Sequence, residues 1–228
     1  MANTNYAPLL DAALLEPETT LAQLRQLCDE AKANGYAAVA VMPSRVRDAA
    51  AFLAGSPVKV DAAIGFPFGM TTPAAKAFEA AEAIDNGAAE IDMVINIGKL
   101  KDGNDGAVYE DMRAVVTAVK AKGDYIVKAI LETGLLTEDE IVRASRLADQ
   151  AGMDFVKTST GFRGEGATVP ILALMREHTS ARVQLKASGQ VRTYEKAAAF
   201  THAGCTRLGT SAKSARAIAE AASKKGVE

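Results

Sequence analysis

Three lysines and one aspartate interrupt apolar segments that otherwise have the composition of buried β-strands. They are Lys128, Lys157, Lys186 and Asp92. Lysine is rarely buried without a partner, so this placement costs free energy and requires a reason. One reason is chemical, because a lysine removed from water is partly neutral at pH 7, and a neutral amine can attack a carbonyl to form a Schiff base. The alternative for any single lysine is a strand end from which the amine reaches solvent.

Lys157 is the first candidate for such a nucleophile. It ends an apolar segment that covers residues 153–156, and Gly161 follows shortly after it. One charged residue within a strand could mark a bulge or a sheet edge. Charges in four different strands instead indicate a shared polar interior, in which Asp92 and the lysines offset one another's desolvation.

The composition narrows the class of protein. The 228 residues are 49% hydrophobic, with 26 basic and 28 acidic residues and a net charge of -2. This balance argues against nucleic acid as a partner. No apolar segment approaches about 18 residues and the N-terminus lacks the pattern of a signal peptide, so we expect neither a membrane span nor export. Cys28 and Cys205 are far apart in sequence and are expected to be free thiols in a reducing cytoplasm.

Eight short apolar segments alternate with eight alanine-rich amphipathic segments. The predicted strands cover residues 9–15, 37–42, 58–64, 90–95, 125–132, 155–158, 183–186 and 206–208. The predicted helices cover residues 20–34, 44–53, 73–86, 106–122, 138–151, 168–178, 193–202 and 211–224. Eight strand–helix units with buried strands predict an α/β fold of the (β/α)8 TIM-barrel type, with 1–228 as a single domain. An open, doubly wound sheet is the alternative, although no Gly-x-Gly-x-x-Gly sequence follows the first strand.

A barrel of this type would bring the four charges together. Active sites in such barrels lie at the C-terminal ends of the strands, where Lys157 and Lys186 are predicted. Asp92 and Lys128 belong to the fourth and fifth strands. Adjacent strands are about 4.8 Å apart, so strands four to seven can direct these side chains into one pocket.

Glycines and hydroxyl groups follow the last three strands. Backbone N–H groups at glycine turns and at a helix N-terminus suit an anionic phosphate, and in barrels the phosphate site often follows strands seven and eight. The candidate phosphate-binding residues are Gly161, Ser188, Gly189, Gly209 and Ser211. Arg163 and Lys213 lie near these segments in sequence, either as substrate contacts or as solvated surface residues.

The sequence predicts no metal site. Both histidines, His178 and His202, are in helical segments away from the strand ends, and there is no cluster of cysteine and histidine. The acidic segment 102–106 lacks the spacing of a calcium-binding loop.

Six segments resemble the deoxyribose-phosphate aldolase family. They are FVKTSTGF at 155–162, IGFPFG at 64–69, EIDMVINIG at 90–98, VKAILETG at 127–134, KASG at 186–189 and GTS at 209–211. The resemblance covers nearly the whole chain in the expected order. It implies a class I aldolase with a barrel fold and no metal or other cofactor, which cleaves 2-deoxy-D-ribose 5-phosphate to acetaldehyde and glyceraldehyde 3-phosphate.

The resemblance also implies roles by position. Lys157 would form the Schiff base, and Lys186 would be the neighbour whose positive charge lowers its pKa. Asp92 would act with an ordered water in proton transfer, and Lys128 would orient or pair with Asp92. Gly161, with Gly189, Gly209 and Ser211, would belong to the phosphate-binding loops.

Some positions depart from the family pattern. Ala12 and Ala13 replace the histidine and threonine of the first strand, Ala40 and Met42 replace the cysteine and asparagine of the second, and Gln190 replaces a glycine beside the phosphate site. These departures concern substrate affinity and preference. They leave two further hypotheses open: a Schiff-base aldolase of another phosphorylated sugar, and a sugar-phosphate-binding barrel without catalysis. The sequence is also compatible with a homodimer.

Overall fold

The chain folds into a closed barrel of eight parallel strands. The computed structural model describes residues 5–225. The strands pair in chain order, and β8 pairs with β1 to close the barrel. They are β1 (Leu10–Leu14), β2 (Ala38–Val41), β3 (Lys59–Ile64), β4 (Glu90–Val94), β5 (Ile126–Ile130), β6 (Phe155–Lys157), β7 (Gln184–Ser188) and β8 (Cys205–Ser211). The predicted (β/α)8 barrel is confirmed, and the open sheet is wrong.

Helices connect the strands on the outside of the barrel. They are α1 (Leu21–Asn34), α2 (Val46–Phe52), α3 (Pro73–Asp85), α4 (Ile97–Lys101), α5 (Asp105–Lys120), α6 (Glu138–Ala151), α7 (Val169–Glu177), α8 (Tyr194–His202) and α9 (Ala212–Lys225). Short 3-10 turns cover Ala7–Leu9, Pro43–Arg45 and Thr133–Leu135. All eight predicted helices are present, and the short α4 was not predicted.

Side-chain caps define where several helices begin. Thr20 and Thr137 form capping boxes with Gln23 and Glu140 at the starts of α1 and α6. The Asn96 side chain accepts a hydrogen bond from the Lys99 N–H and begins α4. A capping asparagine so soon after β4 explains the additional helix.

The barrel interior is polar, and the apolar core lies between the strands and the helices. In β4, Glu90 and Asp92 alternate with Ile91 and Met93, and only the latter two belong to the hydrophobic cluster. Because successive side chains of a strand point to opposite faces, the two carboxylates face the barrel axis. Similarly, Lys128 is flanked by Val127 and Ala129, which both belong to the hydrophobic cluster.

The last two strands are longer than the sequence indicated. β7 extends to Ser188 and β8 to Ser211. Ser188, Gly209 and Ser211 therefore lie at strand ends rather than in the loops that follow. Lys186 lies within β7 instead of ending it.

Within residues 5–225, no helix combines the length and apolar composition needed to cross a membrane.

Candidate active site

One cavity opens at the C-terminal ends of the strands. Its volume is about 290 Å³. All the predicted site residues except Lys128 line it, namely Asp92, Lys157, Gly161, Lys186, Ser188, Gly189, Gly209 and Ser211. Lys128 is completely buried and lies below the cavity, in contact with Asp92. The fold thus brings together the residues that the sequence had singled out on separate strands.

Asp92 is the centre of the lysine arrangement. Its Oδ2 accepts hydrogen bonds from Lys157 Nζ at 2.6 Å and from Lys186 Nζ at 2.7 Å. Its Oδ1 is 2.9 Å from Lys128 Nζ. Strand register produces this geometry, because Asp92 lies beside Lys128 in the β4–β5 pair and Lys157 lies beside Lys186 in the β6–β7 pair. The predicted contact between Asp92 and Lys128 is therefore present in the structure.

These four residues belong to a larger group, which we call the charge cluster. Its members are Asp11, Asp61, Glu90, Asp92, Lys128, Lys157, Lys186 and Arg207. Lys186 Nζ is 2.6 Å from Asp11 and 2.9 Å from Asp61. Arg207 is 2.6 Å from Asp11 and 2.5 Å from Glu90. All four carboxylates come from β1, β3 and β4, and all four cations come from β5 to β8.

Sequence reasoning missed half of this cluster. Asp11, Asp61, Glu90 and Arg207 are charged residues within or beside apolar strand segments, as Asp92 is. The same signal was therefore available at each of them. Residues that pair across a barrel come from strands distant in sequence, so only the closed topology shows that these charges meet.

Burial is the main reason why Lys157 is suited to nucleophilic attack. Burial lowers the pKa of Lys157, the charge of Lys186 adds to this effect, and Asp92 opposes it. Lys186 behaves differently. Although burial works against its charge, the carboxylates of Asp11, Asp61 and Asp92 raise the pKa of Lys186 well above its ordinary value. Lys186 is therefore protonated in the resting site, beside an amine that is more readily deprotonated.

Asp92 stays ionised in this setting. Burial alone would favour the protonated carboxyl, but the lysines Lys128, Lys157 and Lys186 hold the pKa of Asp92 well below its usual value. A carboxylate within 2.6 Å of Lys157 Nζ can accept a proton from that amine or return one. The arrangement provides a nucleophile with a base in contact.

Lysine and arginine side chains already contact the carboxylates that could otherwise hold a metal ion. Oxygens of Asp11, Asp61 and Glu90 lie within 4.8 Å of one another. Lys128 contacts two of these side chains and Arg207 contacts two, at distances of 2.5 to 2.9 Å. Lys128 and Arg207 therefore neutralise the negative charge of these carboxylates, as a bound metal ion would.

The side of the cavity where the sequence predicts phosphate binding is formed by β7, β8 and the segments after them. Gly189 and Gln190 both have positive φ, of 75° and 65°. A Cβ at Gly209 would lie 2.8 Å from Ser188 Oγ, so this close approach of β8 to β7 requires glycine. The Ser211 hydroxyl accepts a hydrogen bond from the Ser214 N–H at the start of α9.

Arg192 is a cation that the sequence reasoning missed. It follows β7 and lines the cavity near Ser188 and Gly189. Of the two cations that the sequence left open, Arg163 lies over the Phe68 ring at 5.1 Å and Lys213 is exposed, and neither lines the cavity. Arg192 was overlooked because it comes after the glycine-containing segment that follows β7 rather than within it.

Glu132 was also missed, and it holds the loop after β6. It is completely buried with a left-handed φ of 58°. Its carboxylate accepts hydrogen bonds from the N–H of Thr160, at 3.1 Å, and from the hydroxyl of the same residue. Thr160 lines the cavity beside Gly161. A non-glycine residue with positive φ just after β5 thus holds in place the segment that follows Lys157.

Two of the departures from the family pattern, Ala13 and Ala40, lie on the opposite wall of the cavity. Ala13 and Ala40 line the cavity together with Ala63. Ala12 is fully buried, and neither it nor Met42 lines the cavity. The wall formed by β1 to β3 is therefore apolar at these three positions and offers no hydroxyl group there.

Comparisons with known proteins agree with the barrel fold and with an aldolase activity. A family model described as DeoC/LacD family aldolase matches residues 8–218. A deoxyribose-phosphate aldolase of Geobacillus sp. (strain WCH70) is 54% identical over 207 residues, which are 91% of this chain and 92% of the relative. A crystal structure of a putative deoxyribose-phosphate aldolase from Coccidioides immitis superposes with a TM-score of 0.90 at 39% identity, covering 95% of this chain and 85% of that one. A tetrameric deoxyribose phosphate aldolase from Aeropyrum pernix superposes with a TM-score of 0.87 at 29% identity, covering 97% and 92%.

Proposed function

We propose that this chain, which belongs to the DeoC/LacD aldolase family and is an aldolase, acts on 2-deoxy-D-ribose 5-phosphate. The reaction proceeds through a Schiff base on Lys157. The products of cleavage are acetaldehyde and D-glyceraldehyde 3-phosphate, and the reaction is reversible. The observation that carries the proposal is the contact of Lys157 Nζ with Asp92 at the base of a cavity, where burial lowers the pKa of the amine. The curated relatives named for this substrate support its identity.

The reaction begins with attack of neutral Lys157 Nζ on the C1 aldehyde of the open-chain sugar. Loss of water from the adduct gives an iminium ion, which withdraws electrons from the C2–C3 bond. That bond breaks as the C3 hydroxyl loses its proton, releasing glyceraldehyde 3-phosphate and leaving an enamine. Protonation of the enamine at C2 and hydrolysis of the resulting iminium ion release acetaldehyde and restore Lys157.

Asp92 and Lys186 have different roles in these steps. Asp92, acting with an ordered water, exchanges protons with the adduct and the enamine, because it lies 2.6 Å from Lys157 Nζ. Lys186 donates to the same oxygen of Asp92 and keeps that carboxylate ionised. Lys128 holds the other oxygen of Asp92 from below. The Asp92 carboxylate, held by these two lysines, would therefore stabilise the positively charged iminium ion.

The phosphate is bound at the far end of the cavity, on the segments after β6, β7 and β8. Gly189 and Gly209 bring backbone close to the ligand, and the hydroxyls of Ser188 and Ser211 lie beside them. Arg192 adds a positive charge. Charge-assisted hydrogen bonds contribute about 1.5–3 kcal/mol each. We expect 2-deoxyribose 5-phosphate to be cleaved at least about tenfold more efficiently than 2-deoxyribose, which equals one contact of about 1.4 kcal/mol.

Borohydride trapping tests the chemistry directly. Incubation with acetaldehyde and borohydride should add one reduced adduct to Lys157, located by peptide mass spectrometry. Lys157→Ala should abolish both the adduct and retro-aldol turnover, because no other nucleophile occupies that position. Lys213→Ala, which removes an exposed lysine outside the cavity, is the control and should keep both. An unmodified Lys157, or turnover near the parental rate in Lys157→Ala, would refute the assignment.

A donor and acceptor panel separates the alternatives. Equal cleavage of 2-deoxyribose and its 5-phosphate would show that phosphate recognition is absent. Faster turnover of another phosphorylated sugar would favour a related Schiff-base aldolase. Binding of sugar phosphates without an adduct would favour a barrel without catalysis.

We also propose a cytoplasmic homodimer. Both thiols, Cys28 and Cys205, are buried and free, which suits a reducing compartment. Phe68, Met70 and Phe78 are 53%, 79% and 71% exposed and line one surface groove on the β3–α3 side. Contiguous exposed apolar side chains are typical of protein–protein interfaces. Sedimentation velocity at micromolar concentration measures the assembly, and a monomer would contradict the dimer.

A further inference from the structure

Asp61 has a position that the proposed reaction does not yet use. It lies on β3, is completely buried and does not line the cavity. Its Oδ2 is 2.9 Å from the Nζ atoms of both Lys128 and Lys186. Its Oδ1 is buried and has no hydrogen-bond partner among the described residues. A buried carboxylate oxygen without a donor costs free energy, whereas a protonated oxygen there would not carry charge.

The charge balance of the cluster supplies a reason for a proton on Asp61, at the Oδ2 atom that Lys186 contacts. The four carboxylates of the cluster balance its four cations only while Lys157 is protonated. When Lys157 becomes a neutral amine, one negative charge in the barrel interior has no counterpart. Uncompensated buried charge is costly, so loss of that proton favours uptake of a proton elsewhere in the cluster.

Several charged groups face Asp61 from the strands around it. They are Asp11 on β1, Glu90 and Asp92 on β4, Lys128 on β5, Lys157 on β6, Lys186 on β7 and Arg207 on β8. On the β2 side its register partner is Ala40, which carries no charge. Two of these cations contact Asp61 directly, Lys128 and Lys186 at 2.9 Å, whereas three cations contact Asp92. A proton on Asp61 is therefore stabilised relative to a proton on Asp92.

The directions of the pKa shifts separate Asp61 and Lys157 from Asp11 and Asp92. Burial and the nearby Asp92 raise the pKa of Asp61 to about 6, which favours its neutral form. The pKa of Lys157 is lowered by burial, which also favours its neutral form. In contrast, although burial opposes it, lysine and arginine neighbours lower the pKa of Asp11, as lysines do for Asp92.

We propose that Asp61 is a positioning residue that takes up the proton that Lys157 gives up, so that the cluster remains neutral while the amine is free to react. The contacts provide a route. As the Lys157 N–H bond breaks, Asp92 gains the proton; as a Lys186 N–H bond breaks, Asp61 gains a proton; Lys186 then recovers one from Asp92. The sum is one proton moved from Lys157 to Asp61, through contacts of 2.6, 2.7 and 2.9 Å.

This proposal rests on the Schiff base and adds a proton balance to it. A neutral amine, an aldehyde and a carboxylic acid become an iminium ion, a carboxylate and water. The proton that the iminium ion requires then comes from Asp61 rather than from the solvent. Without Asp61, the same step must take a proton from the solvent.

Proton uptake during imine formation tests the inference. Acetaldehyde is added to the enzyme in weak buffer at neutral pH, an indicator dye reports the proton uptake, and borohydride trapping counts the imines. We expect proton uptake near zero per imine in the parent enzyme, because Asp61 supplies the proton of the iminium ion. In Asp61→Asn we expect about one proton per imine, because the iminium ion carries one more proton than the enzyme with a neutral Lys157. Asp61→Asn should also move the acidic limb of the kcat/KM profile to lower pH, because the Asp61 charge favours the ammonium form of Lys157.

Asp111→Asn is the matched control. Asp111 is a buried aspartate that pairs with the buried Lys76 at 2.6 Å, and neither residue lines the cavity. Its proton uptake should match that of the parent. Equal proton uptake in the parent and in Asp61→Asn overturns the role of Asp61. Uptake of one proton per imine by the parent enzyme also overturns it, and this second measurement does not depend on whether a variant folds. Absence of the Lys157 adduct would instead refute the Schiff base itself.

Discussion

Replacing Lys186 with leucine separates its effect on stability from its effect on the reactive amine. Lys186 Nζ lies 2.6, 2.9 and 2.7 Å from Asp11, Asp61 and Asp92, and the side chain is buried. Removing one partner of a buried ion pair costs about 3–5 kcal/mol, because the other charge stays buried without compensation. At about 2–4 °C per kcal/mol for a chain of this size, we expect Tm to fall by roughly 6–20 °C.

The same change should move the pH dependence of catalysis. Lys186 lowers the pKa of Lys157 by like-charge repulsion, and it also compensates three carboxylates that would otherwise favour the ammonium form. Both effects have the same sign, so Lys186→Leu should raise the pKa of Lys157. The acidic limb of the kcat/KM profile for 2-deoxyribose 5-phosphate should therefore move to higher pH, in addition to any fall in the plateau rate.

Lys76→Leu is the control for this experiment. Lys76 is also completely buried, and its Nζ lies 2.6 Å from Asp111 and 2.8 Å from the Val94 carbonyl, outside the cavity. Calorimetry should show a comparable loss of Tm, while the acidic limb stays in place. If Lys186→Leu lowers the rate without moving that limb, or if both variants move it equally, the electrostatic role assigned to Lys186 is wrong.

Three further changes test the rest of the cavity. Gly209→Ala places a Cβ 2.8 Å from Ser188 Oγ, so kcat/KM for the phosphorylated sugar should fall about tenfold and that for 2-deoxyribose much less; equal losses would contradict phosphate binding there. Thr160→Val removes the hydroxyl group that donates to the buried Glu132 carboxylate, so it should lower the free energy of unfolding by about 1.5–3 kcal/mol and raise KM. An unchanged Tm would contradict the stabilising role of this hydrogen bond. Gln190→Gly relieves a positive φ of 65° and should stabilise the protein by roughly 1 kcal/mol in denaturant titration; a loss of stability would show that the side chain makes a contact that outweighs the strain.

Periodicity and composition predicted most of the fold because each strand–helix unit is recognisable locally. All eight strands and the barrel closure were predicted, and β3 and β4 matched to within a residue or two. The helix α4 was missed, since five residues are too few to show helical periodicity and only the Asn96 cap signals it. The end of β8 was predicted too early because Gly209 interrupts an apolar pattern, and its close contact with Ser188 is visible only once the two strands are paired.

The candidate site was predictable to the extent that its residues are unusual where they stand. A lysine within an apolar strand is conspicuous, so Lys157 and Lys186 were found, whereas Asp61 was overlooked although it has the same context. Glu132 gives no sequence signal for a left-handed backbone conformation, and Arg192 gives none for a place in the cavity. Their roles follow from long-range contacts, which depend on how the strands close rather than on any local pattern.

The order of charges along the chain bears on how the barrel could be divided. The first four strands contribute four interior carboxylates and the last four contribute four interior cations. If the chain is cut near the exposed Asp124, between α5 and β5, each fragment contributes charge-cluster residues of one sign only. Those of the N-terminal fragment are negative and those of the C-terminal fragment are positive. Two copies of the same half would repel each other across the barrel axis, whereas unlike halves would attract. Split-protein complementation of this barrel should therefore be selective for unlike halves, and a tandem duplication of either half should not close.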